Sequence, residues 1–132
     1  LEGLFMLLIS RLLSGLFGLL FLVVGTGLWL NTGDAAAELG LVNLAAAGLG
    51  TVRADIAGFF LGGGLILVLA AARRDPGLLW PVQLLVLIAL LGRTLTLVID
   101  GPVAAGVPSM GIELLILLVL FWCKRAWVSQ PE

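Results

Sequence analysis

Four apolar stretches fill most of this chain, and each is close to the length that crosses a membrane. A helix needs about 20 apolar residues to span a hydrocarbon core of roughly 30 Å. The stretches run from about Gly3 to Leu30, Ala54 to Ala72, Leu78 to Ile99 and Val107 to Cys123. Inside oil every backbone N–H and C=O must find a partner within the protein, so such stretches fold as helices. The 132 residues are 61% hydrophobic and 11% charged, with a mean hydropathy of +1.23. A water-soluble domain runs near 45–50% apolar and about 25% charged, so this chain has too little polar surface to cover a globule in water. The expected fold is all-α: an integral membrane four-helix bundle, one domain over 1–132, with a short extra helix in the 31–53 connection.

The first stretch is expected to persist as a mature helix. It is too long for a signal peptide and lacks a basic start and an A-x-A-like cleavage site. The sequence opens on Leu1 without a methionine, so a few native residues are expected to precede it. Arg73 and Arg74 follow the second span, and Lys124 and Arg125 follow the fourth. The basic excess assigns that side to the cytoplasm and both termini with it. Trp29, Trp80, Trp122 and Trp127 all lie near span ends, matching an interfacial aromatic belt.

Asn31, Gly33 and Asp34 read as a helix stop and turn. The Ala- and Leu-rich segment from Ala35 to Ala47 reads as the short helix, lying on the outer surface or capping the bundle. "RRDPG" at 73–77 reads as a tight turn, and Pro81 falls in the first turn of span three. Ser10, Ser14 and Gly18 are spaced by four in span one, as are Ala54, Gly58 and Gly62 in span two. Lipid tails supply no hydrophobic drive between helices, so small-xxx-small faces let backbones approach. These faces pack spans within one subunit or form a homodimer seam.

Charges inside the spans are the other feature that needs explaining, since each costs about 2.5–3.5 kcal/mol at a helix centre. Arg11 lies near a span end, where its side chain can snorkel to the headgroups. Arg93 lies deeper, seven residues before Asp100 and on the same helix face. With Glu113 about one turn inside span four, and Arg53 and Asp55 at the start of span two, five charges should gather in the outer half of the bundle: Arg53, Asp55, Arg93, Asp100 and Glu113. In one reading Arg93 pairs with Glu113 or Asp100 and ties span three to span four. In the other, the group lines a polar vestibule for a small solute, a lipid headgroup or a proton.

The sequence holds no histidine, hence no imidazole ligand and no Ser-His or Cys-His dyad. Cys123 reads as an interfacial thiol open to acylation. The Gly62–Gly64 run sits mid-span and is no phosphate cradle, and no basic patch suits nucleic acid. No catalytic, cofactor or metal residue is assigned, and an enzyme is not expected.

The stretches "VRADIAGFFLGGGLIL", "RRDPG", "LLGRTLTLVIDGP" and "IELLILLVLFW" together resemble the small bacterial four-span proteins grouped as DUF4345. The likeness rests on Arg53, Gly58, Gly92, Arg93, Asp100, Gly101 and Glu113 and covers nearly the whole chain. It implies the four-span fold and importance for the charged positions, and no activity. DoxX-like four-span proteins are a second, weaker likeness. The leading expectation is a non-catalytic accessory or scaffold subunit, self-associating or held in a larger membrane complex and surrounded by membrane lipids. The alternative is a small transporter or a lipid- or solute-binding protein that uses the Arg93 vestibule. A cavity reaching Arg93 favours the alternative, and full pairing of every charge favours the scaffold.

Overall fold

The computed structural model describes residues 1–104 and 106–129, and among these it is helical with no strand. Helix α1 covers Glu2–Leu30 and α2 covers Thr32–Glu38. Helix α3 runs over Ala46–Arg73 and contains one wide π turn, Val52–Ile56. A single 3₁₀ turn, Pro76–Leu78, leads into α4, Leu79–Asp100, and α5 covers Gly106–Val128. The four long helices are apolar and long enough to cross a membrane. The chain is a multi-pass membrane protein with an all-α bundle.

Span two differs from the sequence reading. It begins at Ala46, eight residues before Ala54. Gly48 and Gly50 do not interrupt it, because in oil the helix is the way to satisfy the backbone and glycine is tolerated there. Arg53 and Asp55 therefore sit inside α3 and not at its mouth. The extra helix is also displaced. Asn31 does stop α1: its backbone (φ −140°, ψ 60°) breaks the helix after Leu30, but its N–H bonds the Gly27 carbonyl at 2.8 Å and its own carbonyl accepts from Ala35 N–H at 2.9 Å, so α2 starts at the next residue. Gly33 and Asp34 thus lie within α2, which ends before Gly40 (φ +84°).

α1 and α3 lie antiparallel along most of their length. The buried stripe of α1 is Ser10, Ser14, Gly18, Phe21, Gly25 and Leu28. At its centre the two backbones touch. A Cβ on Gly18 would fall 2.8 Å from the Gly64 carbonyl oxygen, and one on Gly64 would fall 2.7 Å from that of Gly18. The Ser10–Ser14–Gly18 face packs inward as the small-residue argument expects. Gly58 and Gly62 do not. A Cβ on either meets nothing within 4 Å, and Ala54 is exposed beside them. The packed face of α3 is Ala57, Gly63, Gly64, Leu67, Ala70 and Ala71.

One end of the bundle, where α1 begins and α5 ends, is tied by hydrogen bonds. Arg11 Nε and Nη2 donate to the carbonyls of Ala71 and Ala72 at 2.8 and 3.2 Å. Instead of reaching only for headgroups, Arg11 caps the last turn of α3, where unpaired carbonyls carry partial negative charge. Ser14 Oγ donates to the Leu67 carbonyl at 3.1 Å. Trp127 Nε1 donates to Ser10 Oγ at 2.8 Å, and Cys123 Sγ to the Ser10 carbonyl at 3.3 Å. Both residues are buried: Trp127 is core and not belt, and Cys123 is not an interfacial thiol. Trp29 and Trp80 do stand exposed at helix ends. The 73–77 turn forms as expected, with Asp75 Oδ1 accepting from Gly77 N–H at 2.9 Å.

Candidate functional site: a cavity between the spanning helices

α4 is the least enclosed spanning helix. Only 11% of its apolar window is buried, against 28% for α3. Its buried positions, Leu79, Val82 and Val86, all fall within 79–86, toward its start. Beyond Val86 the helix stands away from α1 and α3. The gap is a cavity of about 600 Å³ lined from all four spanning helices and from Leu39 and Leu41 of the connection.

The inner wall is aromatic. Phe21 of α1 meets Phe60 of α3 edge-on, with ring centroids 5.3 Å apart, and Phe60 meets Phe59 at 5.1 Å. Asp55, Arg93, Ser109 and Glu113 are the polar residues in an otherwise apolar lining. Arg93 Nε donates to Glu113 Oε1 at 2.7 Å, the ion pair that joins α4 to α5. Both partners stand seven residues from a helix end, Arg93 before Asp100 and Glu113 after Gly106. The pair therefore lies about two turns, roughly 10 Å, inside the bundle. Glu113 Oε2 is buried and has no hydrogen-bond partner among the described residues.

The five expected charges do not form one cluster. Arg53 turns toward α2, its Nε donating to Thr32 Oγ1 at 3.0 Å. Its carbonyl accepts from Trp29 Nε1 at 2.9 Å. Asp55, two residues on, points to nearly the opposite side of the helix and lines the chamber. Asp100 is exposed at the end of α4, and among the described residues neither it nor Asp55 forms an ion pair. A residue pair so far apart in level explains this: seven positions separate Asp100 from Arg93, beyond the reach of a direct contact.

A second cavity of about 180 Å³ continues from Arg93 along Thr96, Leu97 and Gly101 toward the helix ends, and Leu39 lines both. Arg93 thus stands at the junction of an outer opening and the chamber. The aromatic cluster and the Leu39–Leu41 wall were not read from the sequence. The one local hint is the Phe59-Phe60 pair beside Asp55. No protein-family model, no curated protein and no solved structure matches this chain.

Proposed function

We propose that this is a non-catalytic membrane protein that binds a small amphiphile in the chamber between its four spanning helices. One observation carries the reading: a cavity of about 600 Å³ with an aromatic inner wall reaches the half-buried Arg93–Glu113 ion pair. Small-molecule sites run from about 300 to 1,000 Å³, mostly apolar with a few converging polar groups. A charge pair serving only as a staple would be closed and satisfied on every side. The arrangement suits storage, sensing or passage of an amphiphile, with Arg93 facing the route outward. Under the basic bias of Arg73, Arg74, Lys124 and Arg125, the chamber opens toward the outer leaflet of a bacterial plasma membrane and both termini are cytoplasmic.

The test is to fill the chamber. Ala89 lines it from α4. In phosphatidylcholine nanodiscs, with dodecanol as probe and native mass spectrometry as readout, the wild type should retain the alcohol and Ala89→Phe should lose it. Equal retention by both proteins would sink the reading.

A second reading, a scaffold or accessory subunit that associates with itself or with a larger complex, is favoured by a different observation. Ala54, Gly58 and Gly62 form a small-residue stripe that faces outward with open space over both glycines. Such stripes let helices of separate subunits approach closely. Gly58→Leu should then lower the mass of the detergent-purified particle by light scattering, and an unchanged mass counts against that seam.

A further inference from the structure

Arg93 is bonded on one edge only. Its Nε donates to Glu113 Oε1, and the N–H groups of Nη1 and Nη2 have no partner among the described residues. The side chain is 40% exposed and stands where the chamber meets the outer cavity. Resting on the binding reading above, we propose that the amphiphile carries a phosphate head, held in the outer cavity by the two Nη groups of Arg93, with its apolar tail among Phe21, Phe59 and Phe60.

The charges divide between the two cavities. Asp55 and Glu113 line the chamber, and neither lines the outer cavity. Among the described residues Arg93 is the one charged residue lining the outer cavity, and the one that lines both. A negative head is repelled from the chamber and attracted to the outer cavity, which turns the amphiphile head outward. The volumes agree: about 180 Å³ is room for a head, and about 600 Å³ is room for a chain.

The guanidinium sets the class of head. Nη1 and Nη2 form a planar edge that matches two oxygens of a phosphate. A charged donor this far inside a bundle is costly unless an acceptor reaches it. The side chains of Leu39, Leu97, Val103 and Met110 beside it supply none, so the acceptor comes from outside the chain. Phosphate is the acceptor that a bilayer carries at the level of the outer opening. An ammonium head has donors alone and would meet a donor edge. A hydroxyl accepts without charge and forms the weaker bond. The phosphodiester of a bilayer lipid and the phosphate of a free single-chain amphiphile share this chemistry.

The experiment titrates dodecyl phosphate, dodecanol and dodecylammonium onto the protein in digalactosyldiacylglycerol nanodiscs, a bilayer without phosphate, and reads the liganded fraction by native mass spectrometry. Dodecyl phosphate should bind about tenfold or more tighter than the other two, the scale of a hydrogen bond to a charged group. Thr96 is exposed and lines the outer cavity, so Thr96→Phe fills that cavity and spares the ion pair. It should remove most of the phosphate margin. The double change Arg93→Leu with Glu113→Leu should abolish the margin, and if that variant fails to fold, Thr96→Phe carries the test. Equal binding of the three probes, a preference for dodecylammonium, or a phosphate margin that survives Thr96→Phe overturns the proposal while the binding reading stands. Dodecanol retention that Ala89→Phe does not reduce overturns the binding reading itself. Repeating the wild-type titration in phosphatidylcholine nanodiscs separates the sources. A smaller margin there identifies a bilayer headgroup as the competitor for the site, and an unchanged margin identifies a free amphiphile.

Discussion

Arg11 and Arg93 are both arginines within apolar helices, and each is satisfied in its own way. Arg11 caps the carbonyls of Ala71 and Ala72. Arg11→Leu strips two acceptors of a charged donor and should cost about 1 kcal/mol or somewhat more, read as a lower Tm in detergent. Arg93 is paired with a carboxylate. Arg93→Leu leaves Glu113 charged with neither oxygen bonded, at a cost of about 1–3 kcal/mol. The double change Arg93→Leu with Glu113→Leu should be less destabilising than the single one, since a lone carboxylate in the bundle is worse than none. Equal losses in thermal unfolding would contradict the pairing. Cys123 lies at 0% exposure and should resist a water-soluble maleimide until the protein is unfolded in SDS. At this scale the sequence exposed Arg93 and Glu113, because any charge in oil is costly and stands out. It hid the partners of Arg11, Cys123 and Trp127, which lie 60, 113 and 117 residues away, where no local spacing points.

Helix existence was legible at the scale of elements, and helix phase was legible for α1 but not for α3. Length and hydropathy are enough to call for four spans, because oil leaves the backbone no alternative. Which glycines of α3 face α1 depends on rotation about its axis. The run Gly62-Gly63-Gly64 offers a small residue in every phase nearby, and the π turn Val52–Ile56 shifts the phase of what precedes it. The spacing-by-four argument chose Gly58 and Gly62, and the packed pair is Gly63 and Gly64. The consequence is a contrast between two neighbouring positions. Gly64→Ala drives a methyl to 2.7 Å from the Gly18 carbonyl oxygen, so α1 and α3 must part. Overpacking of this kind costs about 1–3 kcal/mol. Gly58→Ala enters open space and should stay within about 0.5 kcal/mol of wild type. Matched thermal unfolding of the two variants in one detergent separates the outcomes, and similar losses would put the seam elsewhere.

As a whole, the molecule is closed at one end and open at the other, and a membrane makes that division stable. In water a chamber of about 600 Å³ lined by Phe and Leu would favour collapse; lipid chains are as apolar as those side chains and give helices no such drive. The closed end, with its Ser10–Trp127 and Arg11–Ala71 bonds, holds the four helices, and α4 and α5 are free to diverge beyond it. No sequence pattern could show this, since the same residue types line a chamber and face lipid. The division has a direction that can be measured. Thr96 lines the outer opening beside Arg93, and Glu2 is exposed at the closed end. In a Cys123→Ser background, Thr96→Cys should react with a membrane-impermeant maleimide on intact spheroplasts, and Glu2→Cys should react only after the membrane is broken. The reverse pattern would invert the proposed orientation. Silence of Thr96→Cys in both preparations, with Glu2→Cys labelled after lysis, would mean that water does not reach Arg93. The chamber would then exchange its contents through the lipid and not through the outer opening.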